Sequence, residues 1–523
     1  MHLLKQNKLR NLCIVFCMIL FTGCSEDGGN STNIDTTIPE NSSWSINTIL
    51  ELPQTQTVPA HITFTHSDNQ LYIAYYDNNP LYDINRHDEN PYSYRVRYKS
   101  FSLSDVSRLS DTNTTTETVA LIMDEGSSFG PMSMALSGST PMLAYGVSES
   151  TIYIEGYDFG NQGDVIIAVR DGNDNWRKEI GAIGYNERNL PFANGLAAPS
   201  LSLKGDENGN ALLSFQFFYE GIDSDNYGYP DLMFISQSID NFADNNINQF
   251  DALEEYVEGS VMQLPTAIQI RAGDFSEMLI NQDGNPVIFH YFSNVNVGPN
   301  GSIGLRMSIK VDGEWQSEWI DDGVEHSGIE VTQISAAVKS NGLLAIVYTV
   351  KDFVDYDFSP NPDNTVTIPY ILKYAEQVEV VTGTDTNGED IIETEWKYDE
   401  QDETKLGEIV NYASINGRYC SLAMDSEDNP VVAFFDEMNF TRTRFFSRIK
   451  ISKRSSGGVW SSETIVPETV GLTIKTSPYD ITPGTHNDYY IGKYNYLWLD
   501  RNDHINICSY SSVSNKLYHF QLR

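Results

Sequence analysis

A chain of 523 residues, 40% of them hydrophobic, has the material for a large buried core. Its 33 Lys and Arg stand against 72 Asp and Glu, a formal charge of −39. So acidic a chain repels nucleic acid and anionic membrane surfaces, confines any polyanion to a local basic patch, and stays soluble in a salty environment.

Taken in order, the chain begins with Lys5, Lys8 and Arg10 ahead of an apolar run from Leu12 to Phe21. That run is too short to cross a bilayer and has the length of a signal-peptide core. It ends in Phe21-Thr22-Gly23-Cys24, which resembles the lipobox of bacterial lipoproteins, with Phe21 where that family more often has Leu. The resemblance covers the first two dozen residues. It implies removal of residues 1–23, acylation of the Cys24 thiol and its new α-amine, and attachment to a membrane through lipid alone. Losing Lys5, Lys8 and Arg10 would take the net charge from −39 to −42. Ser25, where an Asp would imply inner-membrane retention, favours the outer membrane, facing the periplasm or the cell surface. Glu26-Asp27 resembles acidic surface-export signals. Residues 24–43 are polar, with scattered Gly and Pro and no periodicity, and read as the lipidated cysteine and a flexible tether.

From residue 44 onward one pattern recurs seven times: an alternating strand, a polar turn and an apolar strand ending in aromatics. The copies are HITFTHSDNQLYIAYYD from His61, PMSMALSGSTPMLAYG from Pro131, SLSLKGDENGNALLSFQF from Ser200, SEMLINQDGNPVIFHYF from Ser276, ISAAVKSNGLLAIVYT from Ile334, SLAMDSEDNPVVAFFD from Ser421 and YLWLDRNDHINICSYS from Tyr496. Tyr75, Tyr145, Phe215, His290, Tyr348, Phe434 and Ser509 then take equivalent places, 58 to 86 residues apart. That spacing leaves room for four strands, A to D, in each unit. Strand D carries a Trp just after a turn: Trp176, Trp315, Trp396 and Trp460. The last unit stops after strand C, and its missing strand D matches Trp44 to Leu50, WSINTIL, against Trp460 to Ile465, WSSETI. The expectation is an all-β, seven-bladed β-propeller over residues 44–523 with four-stranded blades, the last closed by the N-terminal strand, which removes free sheet edges.

The D-strand turns resemble the Asp-box of sialidase-like propellers, with Asp171 and Trp176 fitting in one blade and Gly457 and Trp460 in another. These boxes are structural, so the resemblance implies fold and not activity. No Arg-Ile-Pro segment and no assignable arginine triad accompany them, so sialidase chemistry is not implied. Of five cysteines, Cys13 and Cys17 leave with the signal peptide and Cys24 takes lipid. Cys420 and Cys508 remain, as two small buried residues or as a disulfide between blades, and no spacing suits zinc.

In a propeller the B-to-C and D-to-A loops share one face around the channel mouth, where a site would form. Tyr82, Arg86 and His87 fall in the first B-to-C loop, Tyr153, Tyr157 and Asp158 in the second, Tyr219, Asp223, Asp225 and Tyr227 in the third, and Tyr356 in the fifth. Tyrosine faces beside carboxylates suit the C–H faces and hydroxyls of a sugar; the plainer alternative is that they cover blade ends and solvate the rim. Gly273-Asp274-Phe275, Gly417-Arg418-Tyr419 and Gly492-Lys493-Tyr494 occupy one place in three blades. Arg418 and Lys493, with Arg271 just upstream in a third blade, are therefore candidates to receive a uronate or sulfate, or else to pair with neighbouring acids.

The spacing of His66 and His87 resembles the His pair of some propeller polysaccharide lyases. The blade map sets His66 in an A-to-B turn and His87 in a B-to-C loop, on opposite faces, so an enzyme reading would rest on His87, Arg86 and Tyr82. His290 reads as a core residue on strand B. Carboxylates are too numerous to assign an acid and a base. Calcium is the one cofactor with candidate ligands, in Asp206 to Asn210 and in Asp223 and Asp225; the first reads better as a hairpin turn. The leading expectation is a monomeric, lipid-anchored recognition protein of the bacterial envelope. Its partner would be a polysaccharide or an envelope protein and not nucleic acid. A lyase or hydrolase of anionic glycans and an envelope assembly scaffold are the alternatives.

Overall fold

The computed structural model describes residues 44–51, 62–78, 92–103, 116–123, 131–147, 152–154, 157–159, 164–171, 175–182, 194–220, 231–242, 255–258, 270–294, 302–321, 334–351, 370–384, 387–397, 408–412, 415–441, 444–465, 491–511 and 516–522. Strand β1 (Trp44–Glu51) precedes the first repeat. Blade 1 is β2 (Ile62–Ser67), β3 (Gln70–Asn78), β4 (Tyr92–Ser102) and β5 (Glu117–Met123). Blade 2 has β6 (Met132–Ser137) and β7 (Thr140–Val147), a small hairpin of β8 (Ile152–Ile154) and β9 (Tyr157–Phe159), then β10 (Asp164–Arg170) and β11 (Trp176–Ala182). Blade 3 is β12 (Asn194–Gly205), β13 (Asn210–Glu220), β14 (Asp231–Ser238) and β15 (Glu255–Glu258). Blade 4 is β16 (Ile270–Ile280), β17 (Pro286–Asn294), β18 (Ser302–Val311) and β19 (Glu314–Asp321). Blade 5 is β20 (Ile334–Val338), β21 (Leu344–Lys351), β22 (Tyr370–Thr384) and β23 (Asp390–Trp396), with β24 (Glu408–Tyr412) also on β22. Blade 6 is β25 (Ile415–Met424), β26 (Pro430–Thr441), β27 (Arg444–Arg454) and β28 (Trp460–Thr464). Blade 7 is β29 (Ile491–Leu499), β30 (Ile505–Ser511), β31 (Lys516–Leu522) and, as its fourth strand, β1.

The seven-bladed propeller and the displaced strand are as the repeats require. Strand β1 runs antiparallel to β31 from Trp44 opposite Leu522 to Glu51 opposite Lys516. A 2.6 Å ion pair between Lys516 and Glu51 ends that ladder. Each strand A touches strand A of the next blade, around to β29 and back to β2. Strand B is covered by A and C within its sheet and by neighbouring blades on both faces, so Leu71 to Tyr76 and Met142 to Tyr145 are buried without alternation. Strand D is the wet edge, and in β19 exposed and sheltered residues alternate.

Two devices fasten blade to blade. On the inner strands, Oγ of Ser133, Ser202, Ser335 and Ser421 accepts the backbone N–H of Leu203, Met278, Leu422 and Leu497 from the next blade. Farther out, the D-strand tryptophans form clasps. Trp176 packs edge-on against Tyr98 at 5.0 Å and donates its indole N–H to Glu117 at 3.1 Å, while Arg170 pairs with the same carboxylate at 2.9 Å. Blades 3 and 4 repeat this with Trp315, Phe234, Glu255 and Lys310. Blades 5 and 6 repeat it with a difference: Trp460 meets Tyr374 at 5.4 Å, but the carboxylate comes from Glu376 on strand C and the Trp460 indole N–H has no partner. Burial opposes ionisation of Glu376, yet Lys339, Arg454 and the Tyr374 hydroxyl outweigh it and keep the carboxyl below its usual range. The tryptophans are thus structural.

The A-to-B turns close on themselves. Oδ1 of Asp206, Asn281, Asp425 and Asp500 accepts backbone N–H groups two and four residues on. The Asp206 carboxylate is taken up in this way, so the hairpin reading stands there, and no group of metal-holding side chains occurs among the described residues. Gly209, Gly284 and Gly342 hold the left-handed place in their turns, but in the last two blades Asp428 and Asp503 hold it, at φ 62 and 58. Each aspartate reaches back to the preceding blade and accepts both the N–H and the hydroxyl of Ser340 or Ser426.

Two expectations are refined. His66 is not in the turn; it lies near the end of strand A, where its Nδ1 meets the Tyr496 hydroxyl at 2.9 Å and its ring stacks on Trp498. Cys420 and Cys508 are both buried free thiols, not a disulfide. His290 is buried as expected, bonded to the Tyr291 carbonyl and to Ser308.

Candidate functional site

The channel mouth on the loop face is built where strand A begins. In blades 4, 6 and 7 that beginning is irregular, because the register slips twice within a few residues of β16, β25 and β29. Between the slips, Asp274 stands opposite Tyr291, Arg418 opposite Phe435, and Lys493 opposite Tyr510. The Gly-x-aromatic triplets thus make the same bulge in three blades. The aromatic residue pays for it: Phe275, Tyr419 and Tyr494 have φ of 52, 53 and 53. A left-handed aromatic residue is strained by roughly 1–3 kcal/mol and persists only where its surroundings enforce it. Tyr419 and Tyr494 recover part of this by packing at 5.3 Å, with Tyr419 edge-on to Phe435 at 6.2 Å. Phe275 recovers less, being 43% exposed.

One residue farther in, the side chains turn polar. The Ser276 N–H donates to Ser200 Oγ at 2.7 Å, and the two hydroxyls lie 3.1 Å apart. Burial pushes the Cys420 thiol up to about 12, with hydrogen bonds from its own backbone and Thr349 opposing and the Glu277 charge adding. Asn495 is 6% exposed, and neither its Oδ1 nor its Nδ2 has a partner among the described residues. Tyr291, 5% exposed, also has an unpartnered hydroxyl. Burial, then Cys420 and Asp321, hold that phenol well above its ordinary range. Asp321 itself accepts from the Tyr348 hydroxyl at 2.9 Å and from Lys373 Nζ at 3.4 Å.

Deeper still, Lys204 of blade 3 pairs with Glu277 of blade 4 at 3.1 Å. The Glu277 charge also acts on Cys420 in blade 6 and Tyr496 in blade 7. A buried amide or phenol without a partner costs about 1–3 kcal/mol. Asn495 directly follows Tyr494, and Tyr291 stands opposite Asp274, so each bears its hydrogen-bonding group beside a bulge, one in blade 7 and the other in blade 4. The thiol and the phenol stay protonated at neutral pH and so are held as hydrogen-bond donors and not as bases.

Arg418 and Lys493 occupy one register place in neighbouring blades, and Arg271 lies three residues before Asp274, opposite Ser293. Tyr153 and Asp158 are partners across the β8–β9 hairpin, with Tyr157 opposite Ile154. Tyr219 lies on β13 opposite Gly195. Cys24, Tyr82, Arg86, His87, Asp223, Asp225, Tyr227 and Tyr356 lie outside the described residues. Sequence reading missed Tyr291, Asp321, Lys373 and Asn495. Only the glycine-led triplets signalled the bulges above them, since an unpartnered buried amide leaves no mark in a sequence.

No protein-family model and no curated protein matches the chain. Among solved structures it is similar to the Penicillium chrysogenum α-L-arabinanase complexed with arabinobiose, at 11% identity over 91% of this chain and 97% of that one, TM-score 0.38. It is similar to polysaccharide lyase Uly1 at 10% identity, 88% and 89% coverage and TM-score 0.42. To Trypanosoma rangeli sialidase in complex with sialic acid the figures are 9%, 92%, 59% and 0.36. Likeness at this level carries no argument about ligand or chemistry.

Proposed function

We propose that this chain is a lipid-anchored, extracytoplasmic recognition protein of a bacterial envelope whose propeller mouth binds a polysaccharide, one bearing carboxylate or sulfate groups. The observation that carries the reading is the bulge repeated in blades 4, 6 and 7, with left-handed Phe275, Tyr419 and Tyr494 and, beside two of these bulges, the unpartnered Tyr291 hydroxyl and Asn495 amide. Strain kept in three equivalent places is a cost that a binding rim repays and a mere scaffold does not. Flat rings beside unspent donors and acceptors suit sugar faces and hydroxyls. Arg418 and Lys493, in register on adjacent blades of an acidic chain, supply the cations for an anionic sugar. The lipobox-like Cys24 supplies the anchor.

A second reading, a lyase or hydrolase at the same mouth, draws on the Tyr291 phenol beside Asp321 in a cluster that includes Lys373. One experiment separates the two. The full-length chain is incubated with neutral, uronic and sulfated polysaccharides, with and without calcium, and resolved by size-exclusion and anion-exchange chromatography. Retention of uronic or sulfated polymer on the protein without shortened chains is the expected result. Shortened chains would replace it with the enzyme reading, with unsaturated ends marking a lyase. Neither retention nor products would remove the polysaccharide reading.

A further inference from the structure

Blade 5 departs from the other six. Its strand C, β22, is 15 residues long, and only its first part belongs to the blade, pairing with β21 and β24. Among the described residues, it pairs from Val378 to Thr384 with β23 alone, and β23 pairs with nothing else. Gln377 opposite Trp396 is therefore the root of a two-stranded arm. That root is firm: Trp396 is buried, packs edge-on against Phe289 and donates to Glu318 at 2.9 Å. Beyond it, every residue from Asp390 to Glu395 is exposed.

The exposed surface is apolar where a lone ribbon should be polar. Val381 is 62% and Ile392 58% exposed, directly opposite each other across the ladder, with Ile391 at 42%. Val459, 69% exposed, stands on the C-to-D turn of the neighbouring blade 6. A two-stranded ribbon with both faces in water is marginal, and open strand edges rich in β-branched residues accept a further strand.

Charge selects among occupants. Between Val378 and Trp396 the sequence has six carboxylates, Glu379, Asp385, Glu389, Asp390, Glu393 and Glu395, and no Lys or Arg. A second copy would bring two such arms together, and an anionic lipid surface would meet the same field, so both are repelled. A cationic strand is attracted. We propose that the blade 5 arm is a docking edge for a basic, extended segment of a partner protein, added as a third strand with apolar residues against Val381 and Ile392 and Lys or Arg against the flanking carboxylates. This surface is separate from the channel mouth and independent of the polysaccharide reading.

The test uses a fluorescent peptide of alternating Lys and Val and the full-length chain, followed by anisotropy at two salt concentrations. One variant carries Val381→Ser and Ile392→Ser. Another replaces Val378 to Glu395 with Asn-Gly, so that Gln377 and Trp396 are joined by a two-residue hairpin turn. Unchanged thermal midpoints show that both variants are folded. Saturable binding that falls about tenfold or more in each variant, the loss expected from removing roughly 1.4 kcal/mol or more of contact, supports docking. The same peptide with every backbone nitrogen methylated, which cannot donate to a strand edge, should bind no better than the variants do. Equal binding by wild type and variants would reduce the effect to the general charge of the chain and overturn the proposal. No binding would overturn it too, as would an oligomer of the wild-type chain that the Asn-Gly replacement dissolves.

Discussion

Tyr291 keeps a buried hydroxyl with nothing to bond, next to Asp321 and Cys420. For folding alone phenylalanine would serve as well, since removing an unsatisfied buried hydroxyl is neutral or stabilising by up to about 1–3 kcal/mol. Tyr291→Phe is therefore expected to melt at or above the wild-type temperature and to lose retention of the polysaccharide. A variant that melts lower with retention intact would make the phenol a packing group. His66 and His519 supply a second residue-scale prediction. Burial lowers both from 6.5 to about 4, with Asp68 partly offsetting it at His66. The unfolded chain takes up these protons first as pH falls, so stability is full above pH 6.5 and drops toward pH 4. The loss is at most about 3 kcal/mol for each ring. Urea midpoints at pH 7.5 and 4.5 should differ less in His519→Gln than in wild type; equal differences would acquit that histidine.

At the scale of elements, the clasps explain why some D-strand tryptophans carry more than others. Trp176 has both an aromatic neighbour and a carboxylate for its indole N–H, whereas the Trp460 indole N–H has no partner among the described residues. Replacing either with Phe keeps most of the apolar burial, so Trp176→Phe should cost about 1–2 kcal/mol more than Trp460→Phe in chemical denaturation. Equal costs would mean that the indole bond to Glu117 adds nothing. The elements themselves were legible because each obeys a local rule: strand B is apolar throughout, strand A alternates, and Asp or Asn opens the turn it closes. The mouth was legible only in outline. Gly417-Arg418-Tyr419 and its two counterparts betrayed themselves by repetition, but the packing of Tyr419 on Tyr494 joins neighbouring blades, the Tyr291–Asp321 neighbourhood joins two strands of blade 4 that are not adjacent in its sheet, and neither these nor the Asn495 amide shows in the local sequence. The blade 5 arm was missed for another reason. Trp396 marked strand D correctly, and nothing in ETEWKY tells how far the hairpin before it rises from the blade.

Over the whole molecule, the ring depends on one ladder of distant parts, β1 against β31. Ile49 and Leu50 are buried there, each worth roughly 1.5–3 kcal/mol. Deleting residues 44–51 should bare the outer edge of β31, lower the thermal midpoint and produce oligomers that grow with concentration in sedimentation velocity. A synthetic peptide with the sequence WSINTILE should reverse both effects. A monomeric deletion variant with an unchanged midpoint would show that the ring does not need this strand.

The same ladder fixes an order of events during synthesis. Trp44 leaves the ribosome hundreds of residues before Leu522, its partner, exists. Six blades have all four of their strands in one continuous stretch and are free to form as they emerge. The seventh waits with its outer edge bare. The last step of folding is therefore a search by one early segment for one late strand, the longest loop closure the chain makes and the slowest by the entropy it must give up. Until that step is made, the nascent propeller is an open arc whose two ends can each accept a strand that is not its own.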